Sequence, residues 1–129
     1  MLNTCWRRSL VLLAGAIVIV AAGCSGGVAP QDADAPIAVT NTNMMVSVEN
    51  RAGLALNNIN VAIDPMGGAT EFTSFVGRLE NGTSRDIMLG SFGGRDGTPF
   101  NLRVIRPKAI RVTAEDINGE SYEVIAPWN

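Results

Sequence analysis

The stretch IRVTAEDINGESYEV, Ile110 to Val124, decides how the rest of the chain is read. Ile110 and Val112 alternate with Arg111 and Thr113 on one side of it. Tyr122 and Val124, followed by Ala126, form a second alternating set on the other. Apolar residues at every second position mark a strand with one face buried, because successive side chains of an extended chain point to opposite sides. Asn118-Gly119 between two such runs is the strongest short-range hairpin signal. The stretch therefore predicts two adjacent antiparallel strands.

The same period of two recurs outward from it. MVSVEN (45–50) sets Val46 and Val48 against Ser47 and Glu49, and INVAID (59–64) places Ile59, Val61 and Ile63 together. EFTSFVGRL (71–79) is apolar and β-branched but irregular. RDIMLG (85–90) aligns Ile87 with Leu89, and FNLRVI (100–105) aligns Phe100, Leu102 and Val104. No window after Ile37 carries a 3.6-residue apolar stripe. Asp96-Gly97 and Asn81-Gly82 mark further turns, and the polar connection 50–58 is long enough to cross from one sheet to another. Seven short strands in some 90 residues predict an all-β, antiparallel sandwich over 37–129.

The spacing of VENRAGLALNNINVAI, LENGTSRDIML and IRVTAEDINGESYEV resembles immunoglobulin-like and fibronectin-III-like modules of bacterial surface proteins. The resemblance implies an immunoglobulin-like antiparallel β-sandwich and carries no activity with it. The cysteine–tryptophan–cysteine core of antibody domains is missing from this chain.

The front end predicts where the protein works. Arg7 and Arg8 precede an apolar run, Leu10 to Ala22, of 13 residues. At 1.5 Å per residue it reaches about 20 Å, short of the roughly 30 Å of a bilayer's hydrocarbon. A positive start, a short apolar core and small residues at its end describe a secretory signal peptide, here a helix within residues 1–23. Ala21-Ala22-Gly23-Cys24 resembles the lipobox of bacterial lipoproteins, with alanine at Ala21 where that family usually has leucine. The resemblance implies cleavage before Cys24 and lipidation of its sulfur. Ser25 after the cysteine implies delivery to the outer membrane. Residues 24–36, lipidated Cys24 and the Gly/Pro/Ala/Asp stretch after it, read as a flexible linker. Cleavage by an ordinary signal peptidase near Ala22, leaving Cys24 as a free thiol, is the alternative.

Composition narrows the chemistry. The chain of 129 residues has a formal charge of −2, which gives no general attraction to nucleic acid. It contains no histidine, so the commonest general base and metal ligand is missing. Both cysteines, Cys5 and Cys24, lie in the front end, leaving no disulfide framework in the body. Glu115, Asp116, Glu120 and Glu123 form the richest acidic stretch. Asp116-x-Asn118-Gly119 resembles the start of a calcium loop, but Pro127 stands where the twelfth-position carboxylate belongs. A solvated hairpin tip is the plainer reading. Met44, Met45, Met66 and Met88 are scattered and read as packing residues rather than a copper site. Trp128 reads as a cap over an open end of the sandwich.

FGGRDGTPF (92–100) is the most unusual loop, three glycines around Arg95-Asp96 with a phenylalanine at each end. RVIRPKAIR (103–111) carries Arg103, Arg106, Lys108 and Arg111. Candidate partner-binding residues are therefore Phe92, Arg95, Asp96, Arg103, Arg106, Lys108 and Arg111, with no metal or other cofactor and no catalytic residue. The expected function is a non-catalytic binding or structural module of the bacterial cell envelope. It would be held to the membrane by its lipid anchor, facing periplasm or cell surface, with an envelope protein or polymer as partner. A small-ligand or ion-binding protein is the second reading, and a carboxylate-dependent hydrolase the third.

Overall fold

The computed structural model describes residues 30–67 and 70–129. The expected signal helix, the lipobox and Cys24 lie outside the described residues. Seven strands follow in order, joined by short connections except for the long segment 89–106: β1 (Ile37–Asn41), β2 (Met45–Asn50), β3 (Leu56–Pro65), β4 (Phe72–Leu79), β5 (Ser84–Met88), β6 (Pro107–Asp116) and β7 (Ser121–Pro127). They form two sheets, in the orders β1-β2-β5 and β4-β3-β6-β7, with every pairing antiparallel. The protein is an all-β sandwich of two antiparallel sheets, with its fourth strand on the larger sheet.

Alternation fills the interior. Val46, Val48 and Ile87 project from the three-stranded sheet, and Ile59, Val61, Ile63, Ile110, Val112 and Val124 from the four-stranded one. Residues 51–55 and 80–83 cross between the sheets at the end of the sandwich nearest Asp116. Asn50 joins them. Fully buried at the end of β2, its side chain donates to Leu54 O at 2.8 Å and to Leu79 O at 2.9 Å. Its Oδ1 accepts from Ala52 N–H at 2.9 Å. Its own backbone bonds Thr83 O and Gly82 N–H. The amide side chain thus satisfies a donor and an acceptor of 51–55 and the last carbonyl of β4, while its backbone holds 80–83, and no apolar side chain could do the first.

Two strand assignments differ from the sequence reading. Residues 100–105 form no strand. Asn101 accepts backbone N–H bonds from Val104 and Ile105 through its carbonyl and from Arg103 through its side chain, so the chain coils. The apparent alternation there arises from a turn that leaves Leu102 half-buried and Val104 exposed. The seventh strand is instead β1, whose Ile37 and Val39 face the core. β3 also begins earlier than Ile59, at Leu56, with a bulge that puts Asn58 at φ 51°. Asparagine tolerates that left-handed conformation better than other non-glycine residues.

The 118–119 hairpin forms, with a shifted turn. Gly119 N–H bonds Asp116 O at 3.0 Å and Asp116 N–H bonds Glu120 O at 2.9 Å. The central residues are therefore Ile117 and Asn118, and Gly119 (φ 79°) is the left-handed bulge residue that follows. A two-residue Asn-Gly turn would need positive φ at Asn118 as well.

Residues 30–36 hold to the sandwich through Pro36 O, which accepts Arg51 N–H at 2.8 Å, and through Gln31. The Gln31 side-chain amide donates to Ile37 O and accepts from Val39 N–H at 2.9 Å. It thereby occupies the side of β1 that has no neighbouring strand.

Replacing Asn50 by alanine leaves two carbonyls and one N–H unpaired in the interior. At about 1–3 kcal/mol for each buried unsatisfied group, Asn50→Ala is expected to lower stability by about 3 kcal/mol or more. Urea unfolding checks this, and a loss below about 1 kcal/mol would show that the crossovers do not depend on it.

Candidate functional site

β6 runs outward-facing residues across the centre of the four-stranded sheet. Arg111 lies opposite Ala62 of β3 and Ile125 of β7. The small Ala62 leaves the guanidinium free to reach along β3 to Asp64, 3.1 Å away, and across to Glu71 just before β4. A bulge in β6 adds Lys108 opposite the Asp64–Pro65 step. Bulges re-aim side chains, and Lys108 here joins Arg111 and Arg95 around a groove of about 670 Å³. Thr70, Asp64 and Glu71 complete its polar lining. Three cations stand against two carboxylates, and both carboxylates are engaged by Arg111. Among the described residues, Arg95 and Lys108 form no ion pair.

Arg95 is presented by the glycine-rich loop, which is a small hairpin in its own right. Gly93 exchanges backbone hydrogen bonds with Thr73 on the edge of β4, at 2.9 and 3.0 Å, and bridges to Pro99. The tip closes through Gly94 N–H to Thr98 O at 2.8 Å. A side chain at Gly94 would meet Asp96 Oδ1 at 3.2 Å and Phe72 Cε1 at 3.4 Å, so the close approach there suits glycine. Phe92 and Phe100 anchor the loop from below. Phe100 packs edge-on to Phe72 at 5.3 Å and lies 6.3 Å from Trp128. Asp96 accepts Thr98 N–H at 3.0 Å, and the Thr98 backbone and side chain together hold its carboxyl below the usual aspartate range.

Of the expected partner-binding residues, Arg95, Lys108 and Arg111 are brought together at the groove. Asp96 lies beside it, lining an adjoining hollow of about 490 Å³ with Arg95 and Phe72. Arg103 and Arg106 are exposed on the neighbouring turn, outside the groove. Phe92 is fully buried and presents no surface, so its part is to hold the loop. Asp64, Glu71 and Thr70 were not singled out by the sequence. Their approach to Arg111 depends on the β3–β6 register and on where β4 begins, which no local pattern encodes.

The acidic stretch resolves into a hairpin lock. Asp116 is buried, and its Oδ1 accepts Asn118 N–H at 2.8 Å and Glu120 N–H at 3.0 Å. Its Oδ2 accepts the Tyr122 hydroxyl at 2.9 Å. Burial opposes ionisation of this carboxyl, but the bonds from Glu120, Tyr122 and Asn118 outweigh it and keep its pKa below the ordinary value. The same contact raises the Tyr122 phenol. Glu115, Glu120 and Glu123 are exposed, and Glu115 faces the opposite side of β6 from Asp116. Among the described residues, no group of three or more acidic, cysteine or histidine side chains is placed to hold a metal ion. No helix among them is long and apolar enough to cross a membrane.

Set against family models, curated proteins and solved structures, the chain matches none of them. What the fold and the site define is a small antiparallel sandwich with a cationic groove beside one end.

Two outcomes follow from this geometry. A depressed carboxyl pKa contributes stability that is present at neutral pH and is lost as pH falls through the depressed value. Asp116→Asn is therefore expected to flatten the acid limb of the stability–pH curve, measured by thermal unfolding between pH 7 and 2; an unaltered acid limb would remove Asp116 as its source. Arg111 is half-exposed, and surface ion pairs contribute about 0–1 kcal/mol. Arg111→Met is accordingly expected to change the unfolding free energy by no more than about 1 kcal/mol in urea titrations, so that any effect on binding is separable from folding.

Proposed function

We propose that this chain is a lipid-anchored, non-catalytic binding module of a bacterial cell envelope, exported and tethered through Cys24 to the outer membrane, facing periplasm or surface. Its groove, with Arg95, Lys108 and Arg111, contacts an acidic group on an envelope protein or polymer. The observation that carries the reading is the convergence of Arg95, from the glycine loop, with Lys108 and Arg111 of β6 around one groove. Functional residues on loops held by rigid scaffolds are a recurring arrangement, and the anchored glycine loop fits it. The lipobox-like Ala21-Ala22-Gly23-Cys24 supports the membrane location. Confinement to a surface raises the effective concentration of such a module near its partners, so modest affinity in the groove suffices.

A small anionic ligand is the second reading, because about 670 Å³ falls within the range of small-molecule sites. A thermal-shift series with sugar acids and inorganic phosphate distinguishes it from a macromolecular partner.

Intact mass of the membrane-extracted protein, beside fractionation of Cys24→Ser, tests the anchor. Acyl chains on a chain beginning at Cys24, with the serine variant released or unprocessed, are expected. A bare mass in the soluble fraction would refute it. Crosslinking at the membrane then tests the groove: Arg95→Glu with Lys108→Glu is expected to reduce recovery of the major crosslinked product at least about tenfold, since like-charge contacts at an interface cost several kcal/mol. Undiminished recovery removes the groove from the contact.

A further inference from the structure

The two ends of the sandwich differ in kind. The end nearest Pro107 holds the β1–β2 and β3–β4 connections and the long segment 89–106. It carries four of the exposed large apolar side chains: Met44, Met66, Met88 and Val104, at 63, 58, 50 and 75% exposure. The Asp116 end carries one, Ile117.

The backbone brings the four together as two pairs. Leu89, the residue after Met88, donates its N–H to Met44 O at 3.0 Å, and Met66 N–H bonds Arg106 O at 2.8 Å. Val104 lies in the turn between Arg103 and Arg106. The two groups are separated by the thickness of the sandwich, about 10 Å. Single exposed apolar residues need no explanation, but four at one end of a small domain form a patch.

Charge follows the same division. Arg95, Arg103, Arg106 and Lys108 lie at the Pro107 end, and none forms an ion pair among the described residues. The carboxylates there are occupied: Asp64 and Glu71 by Arg111, and Asp96 by Thr98. At the opposite end Arg51 is engaged by Glu49 and Arg78 by Glu80, leaving Arg85 as the one cation there without an ion pair among the described residues, beside exposed Glu115 and Glu120. Apolar side chains ringed by unspent cations at one end, with excess carboxylate at the other, is the pattern of a surface that meets anionic lipid head groups and dips apolar side chains beneath them.

The chain length permits the approach. Gln31 is held on β1, so no more than seven residue steps separate Cys24 from the sandwich. Seven steps reach about 25 Å at most. The ten residues of β3 span roughly 33 Å, so an end lies about 15 Å from mid-strand. An anchor of that length brings either end to the bilayer. Charge and exposed apolar area select the Pro107 end.

The geometry points to the Pro107 end as a membrane-docking tip, in which Met44, Met66, Met88 and Val104 enter the interface of an anionic bilayer and Arg103 and Arg106, which lie outside the groove, engage its phosphates. This deepens the proposed function and rests on the lipid anchor at Cys24. The tip gives the module a fixed orientation: the Pro107 end faces lipid and the acidic hairpin tip at Ile117–Glu120 points away.

The test uses membrane-extracted full-length protein, with its intact mass recorded first, reconstituted into vesicles of phosphatidylcholine alone or with phosphatidylglycerol. A fluorophore is placed on Val104→Cys or, as the opposite-end control, on Ile117→Cys, and quenching by lipid-borne nitroxides is measured. Both positions are exposed, so the unfolding midpoint of each variant is expected to match the parent. In phosphatidylglycerol vesicles Val104 is expected to be quenched and Ile117 not. Arg103→Gln with Arg106→Gln is expected to lower the docked-to-undocked ratio roughly 30-fold, at about fivefold for each basic residue near anionic lipid. An acylated mass with Val104 and Ile117 equally accessible overturns the docking and leaves the anchor standing. A bare mass overturns the anchor and the docking with it. Protection of Val104 that requires a crosslinked envelope protein overturns the lipid assignment and gives the tip to that protein.

Discussion

Asn50 is the point on which the arrangement of the two sheets turns. A sandwich must carry its chain across a gap of about 10 Å without leaving peptide groups dry and unpaired. Here both crossovers at one end, 51–55 and 80–83, meet the same buried amide. Its side chain matches two groups of 51–55 and the last carbonyl of β4, and its backbone bonds Gly82 and Thr83 of the second crossover, so the positions of β3 and β5 relative to β2 are set together. A hydrophobic residue there would add apolar area and leave those groups stranded, and an aspartate could not donate.

The sheet content of the chain is legible because the core is built by strict alternation. Val46 and Val48, Ile59 to Ile63, Ile110 and Val112, and Tyr122 to Ala126 each announce their strand. Where the sequence misleads, a polar side chain has overridden a local pattern. Asn101 bends a segment whose residues alternate as a strand would. Asp116 draws two N–H groups onto one oxygen and moves the hairpin's turn back by one residue. Asn50 stands at the end of an alternating run and reads as the first residue of a polar loop, although it is among the most buried side chains in the protein. β1 is short, and IAVTN offers too little alternation to stand out.

The groove shows the same limit from the other side. Its cations were visible as a basic run and an odd glycine loop, because Arg103 to Arg111 are close in sequence. Their convergence with Asp64 and Glu71 was not, since it depends on a bulge at Lys108 and on pairing between strands nearly fifty residues apart. Phe92 illustrates the converse error: flanking an exposed glycine loop, it has the chemistry of a contact residue, but its ring is what fixes the loop to the core.

Gln31 has a consequence for life at high density. A strand at the border of a sheet offers a row of unpaired amides to any other extended chain. The Gln31 carboxamide has the donor and acceptor of a single peptide unit and presents both to β1 at Ile37 and Val39, the place where a foreign strand would begin to pair. β4, one of the two borders of the other sheet, is occupied in a similar way by Gly93. The residues that lead into the sandwich therefore also close the β1 border to edge-to-edge pairing.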